Sequence, residues 1–311
     1  MRILSVIPSG FCFGLQHITV DFFGAFPLET KSHFLLTRWG NGDMEKLLTV
    51  HGIAYSYSWL GMFSRKLDAR NLKMSLHALV KLPVLYWDFW KLQRTFKPDV
   101  LYFANHHELI LLYPALLFSR KPIVCHMHDP APNIGFQRWT FRWYSKRVKK
   151  FIAISDNVRN RTIELGCAPE KITTIHNGIA IPSVERLQHT TNWRSANNWP
   201  EDAVIIGITG QMTPTKGSMD LLEAFYIVYQ QNKKVRLVIG GKKAEPQYSA
   251  LQEKIMSLGL EELVYFPGWI DRVDDFFAEI DVFVLASRHD EGYGLVVAEA
   301  MVRELPVVIT A

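Results

Sequence analysis

The sequence has few cysteines, and it lacks the signals that define secreted or metal-stapled proteins. Its three cysteines, Cys12, Cys125 and Cys167, lie far apart among 311 residues, so neither a disulfide framework nor a zinc site is predicted. The N-terminal stretch carries one arginine and a short apolar run before Pro8, which is typical of a buried strand and not of a signal peptide. We therefore expect a protein of the reducing cytoplasm.

Long apolar runs and internal repeats are also missing. A membrane-spanning helix needs about 18 consecutive apolar residues, and the longest candidate, residues 78–92, is interrupted by three charged residues and a proline. No self-similarity at a period of about 20 to 50 residues indicates a solenoid or a propeller. We therefore expect neither a single membrane crossing nor a repeat architecture.

Charge is distributed unevenly along the chain. Residues 1–182 hold 23 Lys and Arg against 12 Asp and Glu, whereas residues 183–311 hold 12 against 18. A basic half suggests an anionic partner. Cations cluster in two segments, 65–73 and 138–150, and the second interleaves them with aromatic residues. This composition suits a peripheral contact with an anionic membrane surface, and it equally suits a charged helix face over a core. Since no nucleic-acid-binding module is recognisable, we expect no nucleic-acid partner.

Short apolar runs alternate with amphipathic segments along the chain, which is typical of parallel strands covered on both faces by crossover helices. The polar stretch 183–202 lacks a clear period and is interpreted as a linker. We therefore predict an α/β protein with two Rossmann-like domains facing across a cleft, at 1–182 and 203–311. Because a complete doubly wound domain usually has about 150 residues or more, the second is expected to be incomplete at its C-terminus. The predicted strands are Ile3–Ile7, His33–Thr37, Val100–Phe103, Ile123–Cys125, Phe151–Ile154, Val204–Thr209, Val235–Ile239, Leu263–Phe266, Val282–Leu285 and Val307–Thr310.

The segment 287–303, SRHDEGYGLVVAEAMVR, follows a predicted strand and contains two glutamates eight residues apart, Glu291 and Glu299. Eight residues make about two helical turns, so a helix that begins at Gly294 would place Glu299 on the same face as its own entrance. Gly292 and Gly294 allow a ligand to approach the backbone, and free N–H groups at a helix start can bind an anion. Strand, glycine turn and helix together predict a diphosphate-binding site, although a solvated acidic loop could also contain these two acids.

The segment 210–222, GQMTPTKGSMDLL, also follows a predicted strand. Open α/β sheets bind ligands at the carboxyl ends of their strands. Lys216 is a compact positive charge suited to a phosphate, and Gly217 precedes an amphipathic helix. A lysine in a turn is usually only solvated, but a Glu291 loop at the same edge makes Lys216 a candidate phosphate ligand.

Two histidines, His126 and His128, follow the predicted strand 123–125. They share one face of an extended chain, so a metal site is conceivable, but no third ligand stands at a convincing spacing. We therefore expect no bound metal. The alternative interpretation is that His126 packs in or under the strand while His128 reaches the cleft.

Seven segments, running in order from about residue 121 to the end, resemble the motifs of the retaining glycosyltransferases of family four, which have the GT-B fold. Each segment is modest alone, whereas the ordered set is specific. The matching segments are PIVCHMHD, FIAISDNVRN, KITTIHNGI, GQMTPTKG, LVIGG, VYFPGWID and SRHDEGYGLVVAEAMVRELPVV.

The resemblance implies transfer of a sugar from a UDP- or GDP-linked donor to a glycan or lipid-linked acceptor, with no metal or other cofactor. The acceptor side would be the N-terminal domain, and the nucleotide sugar would bind the C-terminal domain. Glu291, His128 and Lys216 would be catalytic, with Glu291 and His128 at the donor sugar and Lys216 at the diphosphate, while Glu299 would accept hydrogen bonds from the ribose. The implied donor-binding residues are Gly210, Gln211, Lys216, Gly268, Trp269, Ile270, Gly292, Tyr293, Gly294, Leu295 and Glu299.

Two other functions remain open from the residues themselves. The family usually has an arginine directly after the turn glycine, where this chain has Gln211, and the family's closing helices are absent. A non-catalytic protein that binds a nucleotide sugar or a partner is therefore one alternative. The other is a dinucleotide-dependent oxidoreductase, which SGFCFG disfavours because it replaces the Gly-x-Gly-x-x-Gly expected after the first strand.

Overall fold

The computed structural model of this chain describes residues 1–7, 12, 14–61, 68–130, 135–182, 192–270 and 272–310. The chain divides into two units, residues 1–178 and 179–311. Each unit is built around its own parallel sheet. The predicted α/β class with two Rossmann-like domains is therefore confirmed.

The first unit has a seven-stranded parallel sheet in its described residues, in the order β3-β2-β1-β4-β5-β6-β7. A short 3₁₀ turn at Pro169–Lys171 precedes the last of these strands. The elements in chain order are β1 (Arg2–Ile7), α1 (Gly14–Gly24), β2 (Lys31–Thr37), α2 (Asp43–Val50), β3 (Ala54–Ser58), α3 (Ala69–Phe96), β4 (Val100–Phe103), α4 (His106–Leu116), β5 (Ile123–Met127), α5 (Gly135–Tyr144), β6 (Lys150–Ala153), α6 (Asp156–Glu164) and β7 (Ile172–Thr174).

The strand order places the helices of the first unit on the two faces of its sheet. Crossovers between parallel strands are right-handed, and the chain runs from β1 towards β3 and then back across β4 to β7. Helices α1 and α2 therefore cover one face, where they share a core cluster with Ile3 and Ile7 of β1. Helices α3 to α6 cover the other face, side by side.

The second unit has a five-stranded parallel sheet in its described residues, in the order β10-β9-β8-β11-β12. Two core clusters, one around Phe225 and Leu251 and one around Phe276 and Phe283, pack against this sheet. The elements are α7 (Trp193–Ala196), β8 (Val204–Thr209), a 3₁₀ turn (Pro214–Lys216), α8 (Ser218–Gln231), β9 (Val235–Gly240), α9 (Gln247–Leu258), β10 (Val264–Gly268), α10 (Val273–Glu279), β11 (Val282–Leu285), α11 (Leu295–Met301) and β12 (Val307–Ile309).

The strands predicted from the sequence are all present, but β3 and β7 were not predicted. Both are edge strands of the first sheet. Central parallel strands are buried on both faces and give continuous apolar runs, whereas edge strands are short and partly polar. The sequences AYSYS and ITT are of the second kind, so they escape a search for apolar runs.

The second part of the predicted linker, residues 183–202, packs against the second unit. Residues 183–191 lie outside the described residues. Trp193 and Trp199 are buried in the second unit's core, and the Trp199 indole N–H donates to the Glu262 carbonyl at 2.8 Å. Residues 192–202 therefore form part of that unit, because two large aromatic side chains in a polar stretch supply enough apolar surface to anchor it.

Candidate functional site

The two loops that carry the predicted acidic and basic residues meet at one edge of the second sheet. Strands β8 and β11 are parallel neighbours, so the loops that follow them leave the sheet at the same edge. Gly217 adopts a φ of 70°, and a Cβ there would lie 1.7 Å from the Ala286 carbonyl oxygen. The Arg288 amide also donates to the Thr215 carbonyl at 2.8 Å. Glycine at position 217 therefore lets the two loops make backbone contact.

Lys216 and Glu291 form an ion pair between these loops. The Lys216 Nζ lies 2.6 Å from Glu291 Oε1, both side chains are partly buried, and the Ser287 hydroxyl donates to the same carboxylate oxygen. Burial alone would raise the pKa of Glu291, but the hydrogen bonds from Lys216 and Ser287 outweigh it and hold this pKa below its ordinary value. The pair therefore presents an ionised carboxylate and an ammonium group side by side.

A small recess beside Lys216 has features that suit an anion. Helix α8 begins at Ser218, and its N-cap, Gly217, supplies no side-chain acceptor for the first free N–H groups of the helix. The N-terminus of a helix carries partial positive charge, which Lys216 reinforces at this edge. The recess lies at the carboxyl ends of β8, β9 and β11 and is lined by Ile208, Thr209, Gly210, Gln211, Lys216, Ser218, Ile239, Gly240 and Leu285.

Residues 268–270 lie next to this recess. Gly268 ends β10, and its carbonyl accepts a hydrogen bond from the Gly241 amide at 2.8 Å. A Cβ at Gly241 would lie 1.8 Å from the Gly210 carbonyl oxygen, so the turns after β8 and β9 also make close backbone contact. Trp269 is largely exposed, and Ile270 packs over Gly240. The structure thus brings Gly210, Lys216 and residues 268–270 to one edge.

Glu299 lies within α11, which begins after Gly294 as predicted. Burial raises the pKa of Glu299. The positive charge of Arg303 lowers this pKa by a smaller amount, and the negative charge of Asp274 raises it. Arg303 forms a nearly buried ion pair with Asp274 and donates to the Glu299 carbonyl at 2.6 Å. The segment from Gly292 to Leu295, including Tyr293, is partly buried and connects Glu291 to this helix.

His126 and His128, the two histidines after the predicted strand 123–125, are both buried. His126 and His128 have ring centroids 4.1 Å apart, and the Nδ1 of His126 lies 2.6 Å from the Tyr102 hydroxyl. Burial lowers the pKa of His126 to about 4 and, with the charge of His126 adding to it, that of His128 to about 3. Because both pKa values lie well below 7, both imidazoles are neutral near pH 7. Within the described ranges, no group of three or more His, Cys, Asp and Glu side chains could hold a metal ion.

Three side chains of the second unit escaped the sequence interpretation. Ser287 donates to Glu291, Arg303 pairs with Asp274 beside Glu299, and Arg288 pairs with Asp220 of α8. Ser287 and Arg288 could have been noticed because they follow a strand whose loop was already a candidate. Arg303 follows Glu299 by one helical turn, which is the available signal in the sequence.

Two protein-family models match consecutive parts of the chain. Residues 48–181 match the model for Glycosyltransferase Family 4, and residues 189–311 match the model for Glycosyl transferases group 1. The resemblance noted from the seven segments is therefore confirmed. No helix in the described ranges combines the length and the hydropathy needed to span a membrane.

Curated relatives and solved structures agree with these models. The chain is 32% identical over 118 residues to a mannosylfructose-phosphate synthase of Agrobacterium fabrum, covering 35% of this chain and 26% of the relative. It is 28% identical over 176 residues to the O-antigen biosynthesis glycosyltransferase WclY of Escherichia coli, covering 56% of this chain and 46% of that protein. The matches thus span less than half of these relatives. The Anabaena HepE structure in complex with UDP-glucose is 22% identical with a TM-score of 0.75, covering 99% of this chain and 80% of that chain.

Proposed function

Because the chain belongs to the family-four glycosyltransferases with the GT-B fold, we propose that it transfers a sugar from a nucleoside diphosphate donor to a glycan or lipid-linked acceptor. The observation that carries the proposal is the Lys216–Glu291 ion pair, which lies at the carboxyl ends of β8 and β11 beside the N-terminus of α8. This is the edge at which open α/β sheets bind nucleotides.

The diphosphate would bind against Lys216 and the first N–H groups of α8. As the bond to the sugar breaks, negative charge builds on the departing diphosphate, and cations or N–H groups placed there stabilise it by about 3 to 4 kcal/mol per well-placed donor. Binding of the phosphates would compete with Glu291 for the Lys216 ammonium group. The ion pair would therefore loosen as the donor enters, leaving the Glu291 carboxylate beside the sugar.

The remaining donor contacts follow the same edge. Residues 268–270 would border the base, the backbone from Gly292 to Leu295 would contact sugar and phosphate, and Glu299 would accept hydrogen bonds from the ribose hydroxyls. A carboxylate that accepts two hydroxyl groups is held more strongly in its ionised form, which offsets the burial that raises the pKa of Glu299. Donor binding would thus relieve an electrostatic cost of the free protein.

The resemblance assigns His128 to the donor sugar. Its buried, neutral imidazole can offer one N–H donor and one nitrogen acceptor to a hydroxyl group. Retention of configuration would follow from attack by the acceptor on the face that the diphosphate leaves. In this scheme no protein side chain forms a covalent bond to the sugar.

The relatives suggest the substrates to test first. HepE has been solved with UDP-glucose, and WclY is an O-antigen biosynthesis enzyme, so a UDP-sugar and a polysaccharide precursor are the leading donor and acceptor. Thermal unfolding would be measured with UDP-, GDP- and ADP-sugars, because a ligand at 100 times its dissociation constant adds about 2.7 kcal/mol of stability.

A pair of variants makes the donor experiment specific. Lys216→Met should abolish the stabilisation by the preferred nucleotide sugar. Lys234→Met should retain it, since Lys234 forms an exposed ion pair with Asp202 at the amino ends of β8 and β9, away from the recess. Equal stabilisation of both variants would place the nucleotide elsewhere and overturn the assignment.

A non-catalytic nucleotide-sugar-binding protein is the second candidate. Gln211 lines the recess at the position where the family usually has an arginine, so Lys216 is the cationic side chain of the recess. Release of the nucleoside diphosphate in the presence of an acceptor distinguishes the two functions: turnover supports transfer, and stoichiometric binding without turnover supports the second candidate.

A further inference from the structure

The outer surface of α3 carries a long exposed apolar stripe. Leu72, Leu76, Leu79, Val80 and Trp87 recur at helical spacing and are largely exposed, with Val80 at 64% and Trp87 at 62%. The opposite side of the same helix is buried against the sheet through Ala78, Leu85, Phe89 and Leu92. A surface helix normally has charged and polar residues on its solvent-facing side, whereas α3 has apolar side chains there.

The same surface continues over α4 and α5. Helix α3 contacts α4 where the Tyr86 hydroxyl donates to the Leu111 carbonyl at 3.2 Å. Helix α4 contacts α5 where the rings of Tyr113 and Trp143 lie 5.1 Å apart. The exposed side chains on this part of the surface are Ile110, Leu117, Phe118, Trp139 and Trp143. We call the outward side of α3, α4 and α5 the three-helix face.

The charges of the three-helix face are mostly positive. The sequences of α3, α4 and α5 contain two acidic residues, Asp88 and Glu108. Glu108 is buried, and Asp88 accepts a hydrogen bond from Ser58 of β3, so neither is displayed outwards as a free carboxylate. Asp68, the N-cap of α3, is an exposed acid at the start of that helix. It is outnumbered by the exposed cations that the structure describes on and beside the three helices, which include Lys73, Lys91, Arg94, Arg138, Arg142 and Lys146.

Tryptophans are concentrated on this face in two stacked pairs. Trp87 and Trp90 have ring centroids 5.0 Å apart, and Arg94 lies over the Trp90 ring at 4.0 Å. Trp139 and Trp143 have centroids 5.8 Å apart with nearly parallel rings. Next to the second pair, Arg142, Lys146 and Lys171 line an open cavity of about 420 Å³ together with both tryptophans. Amphipathic indole rings next to cations are typical of the boundary between lipid headgroups and acyl chains.

We propose that the three-helix face docks the first unit onto the surface of an anionic lipid bilayer. The apolar side chains of α3 enter the headgroup boundary, the tryptophans lie at its level, and the lysines and arginines contact lipid phosphates. The cavity beside Trp143 has the size and charge to accept one headgroup phosphate. A second copy of the chain fits this face less well, because it would bring one set of cations against another.

This inference goes beyond the proposed transfer reaction and does not depend on it. Sheet topology puts α3 to α6 on one face and α1 and α2 on the other, which supplies a matched control. Val50 of α2 is 82% exposed, so Val50→Glu and Val80→Glu make the same change on opposite faces of one sheet. Lys46 of α2 is likewise a control for Lys91 of α3.

The test is co-sedimentation of the full chain with vesicles of phosphatidylcholine alone and of phosphatidylcholine with about 30% phosphatidylglycerol. The wild type should bind the anionic vesicles at least about tenfold more strongly, and this binding should weaken as salt screens the cations. Val80→Glu should lower the partition coefficient by about tenfold or more, and the double variant Lys73→Glu, Lys91→Glu should do the same. Val50→Glu and Lys46→Glu should leave it unchanged.

Two readouts keep the result interpretable. Thermal unfolding with the preferred nucleotide sugar should be the same for Val80→Glu and Val50→Glu, which shows that both fold, and absence of any nucleotide effect in the wild type would count against the proposed function alone. Bilayers containing brominated lipid should quench wild-type tryptophan fluorescence, and Trp87→Phe with Trp143→Phe should reduce this quenching. Equal binding to neutral and anionic vesicles, or a dimer in light scattering that Val80→Glu converts to monomer without any vesicle binding, would overturn the proposal.

Discussion

Gly217 and Ala286 are in direct contact although 69 positions separate them in the sequence: a side chain on the first would overlap the carbonyl oxygen of the second. This contact joins the loop after β8 to the loop after β11 and aligns Lys216 with Glu291. The candidate donor site therefore depends on a backbone approach as much as on charged side chains.

Replacing Gly217 with alanine should destabilise the second unit more than the strain of a positive φ alone would, because the new Cβ would also overlap the Ala286 carbonyl oxygen. Gly259 at the end of α9 is the matched control, since its φ of 64° is close to the 70° of Gly217 and a Cβ there would meet no atom within 4 Å. Gly259→Ala should cost about 1 to 2 kcal/mol, and Gly217→Ala about 1 to 3 kcal/mol more because the two loops must separate. Chemical denaturation of both variants measures the difference, and equal losses would contradict the contact.

Glu291→Gln should bind the free nucleoside diphosphate more tightly than the wild type does. The substitution releases the Lys216 ammonium group from its ion pair, and pairs of this partly exposed kind are worth about 0.5 to 1 kcal/mol, or roughly twofold to fivefold in affinity. Calorimetry with UDP and GDP gives the dissociation constants. Sugar transfer should fall at the same time. The gain should disappear in the double variant with Lys216→Met; weaker binding by Glu291→Gln alone would show that the carboxylate itself contacts the diphosphate.

Between pH 4 and pH 8, the difference in unfolding free energy between Glu299→Gln and the wild type should shift in favour of the variant. Both proteins are compared without ligand. Burial raises the pKa of Glu299, so the folded wild type holds this proton more tightly than the unfolded chain. The free energy of unfolding of the wild type therefore falls as the pH rises from about 4.3 through the folded pKa, and glutamine lacks this loss. Denaturation series at both pH values test the sign; a difference that is constant with pH would contradict the raised pKa.

His128→Gln should reduce the acid sensitivity of the fold. The pKa of His128 is lowered to about 3 by burial, so at about pH 4 to 6 the unfolded chain binds a proton that the folded protein does not. The wild type should therefore lose up to about 1.4 kcal/mol per pH unit through this residue as the pH falls below about 6.5. As the pH falls below about 6.5, the unfolding free energy of His128→Gln should therefore fall less steeply than that of the wild type, by up to this amount per pH unit. The contribution of Glu108, whose pKa burial raises to about 8, is common to both proteins. His126 is in ring contact with His128, so His126→Gln and the double variant are measured alongside to separate the two histidines.

Trp193→Ala should destabilise the second unit by about 3 to 5 kcal/mol, the usual cost of removing a buried aromatic side chain. Trp193 is buried in the core and its amide donates to the Glu279 carboxylate at 2.8 Å. Trp269 is 60% exposed, so Trp269→Ala should change stability by less than about 0.5 kcal/mol. Comparable small effects for both substitutions would restore the interpretation of residues 192–202 as a linker.

Most of the architecture could be predicted because its signals are local. Central strands such as β1, β8 and β11 are largely apolar runs, and the loops that follow β8 and β11 carry Lys216 and Glu291. The edge strands β3 and β7 could not be recognised this way, since their residues are stabilised by a single neighbouring strand and need not be apolar.

The amino-acid sequence by itself determined the α/β class, the order of the central strands along the chain and the identity of Lys216, Glu291 and Glu299 as candidates, because hydrophobic periodicity and glycine turns act over a few residues. Tertiary structure alone decided that Lys216 pairs with Glu291, that Trp193 belongs to a core, and that the stripe on α3 faces outwards. These outcomes depend on which distant segments meet when strands pair and helices cross, and periodicity within one segment carries no information about the surface that will cover it.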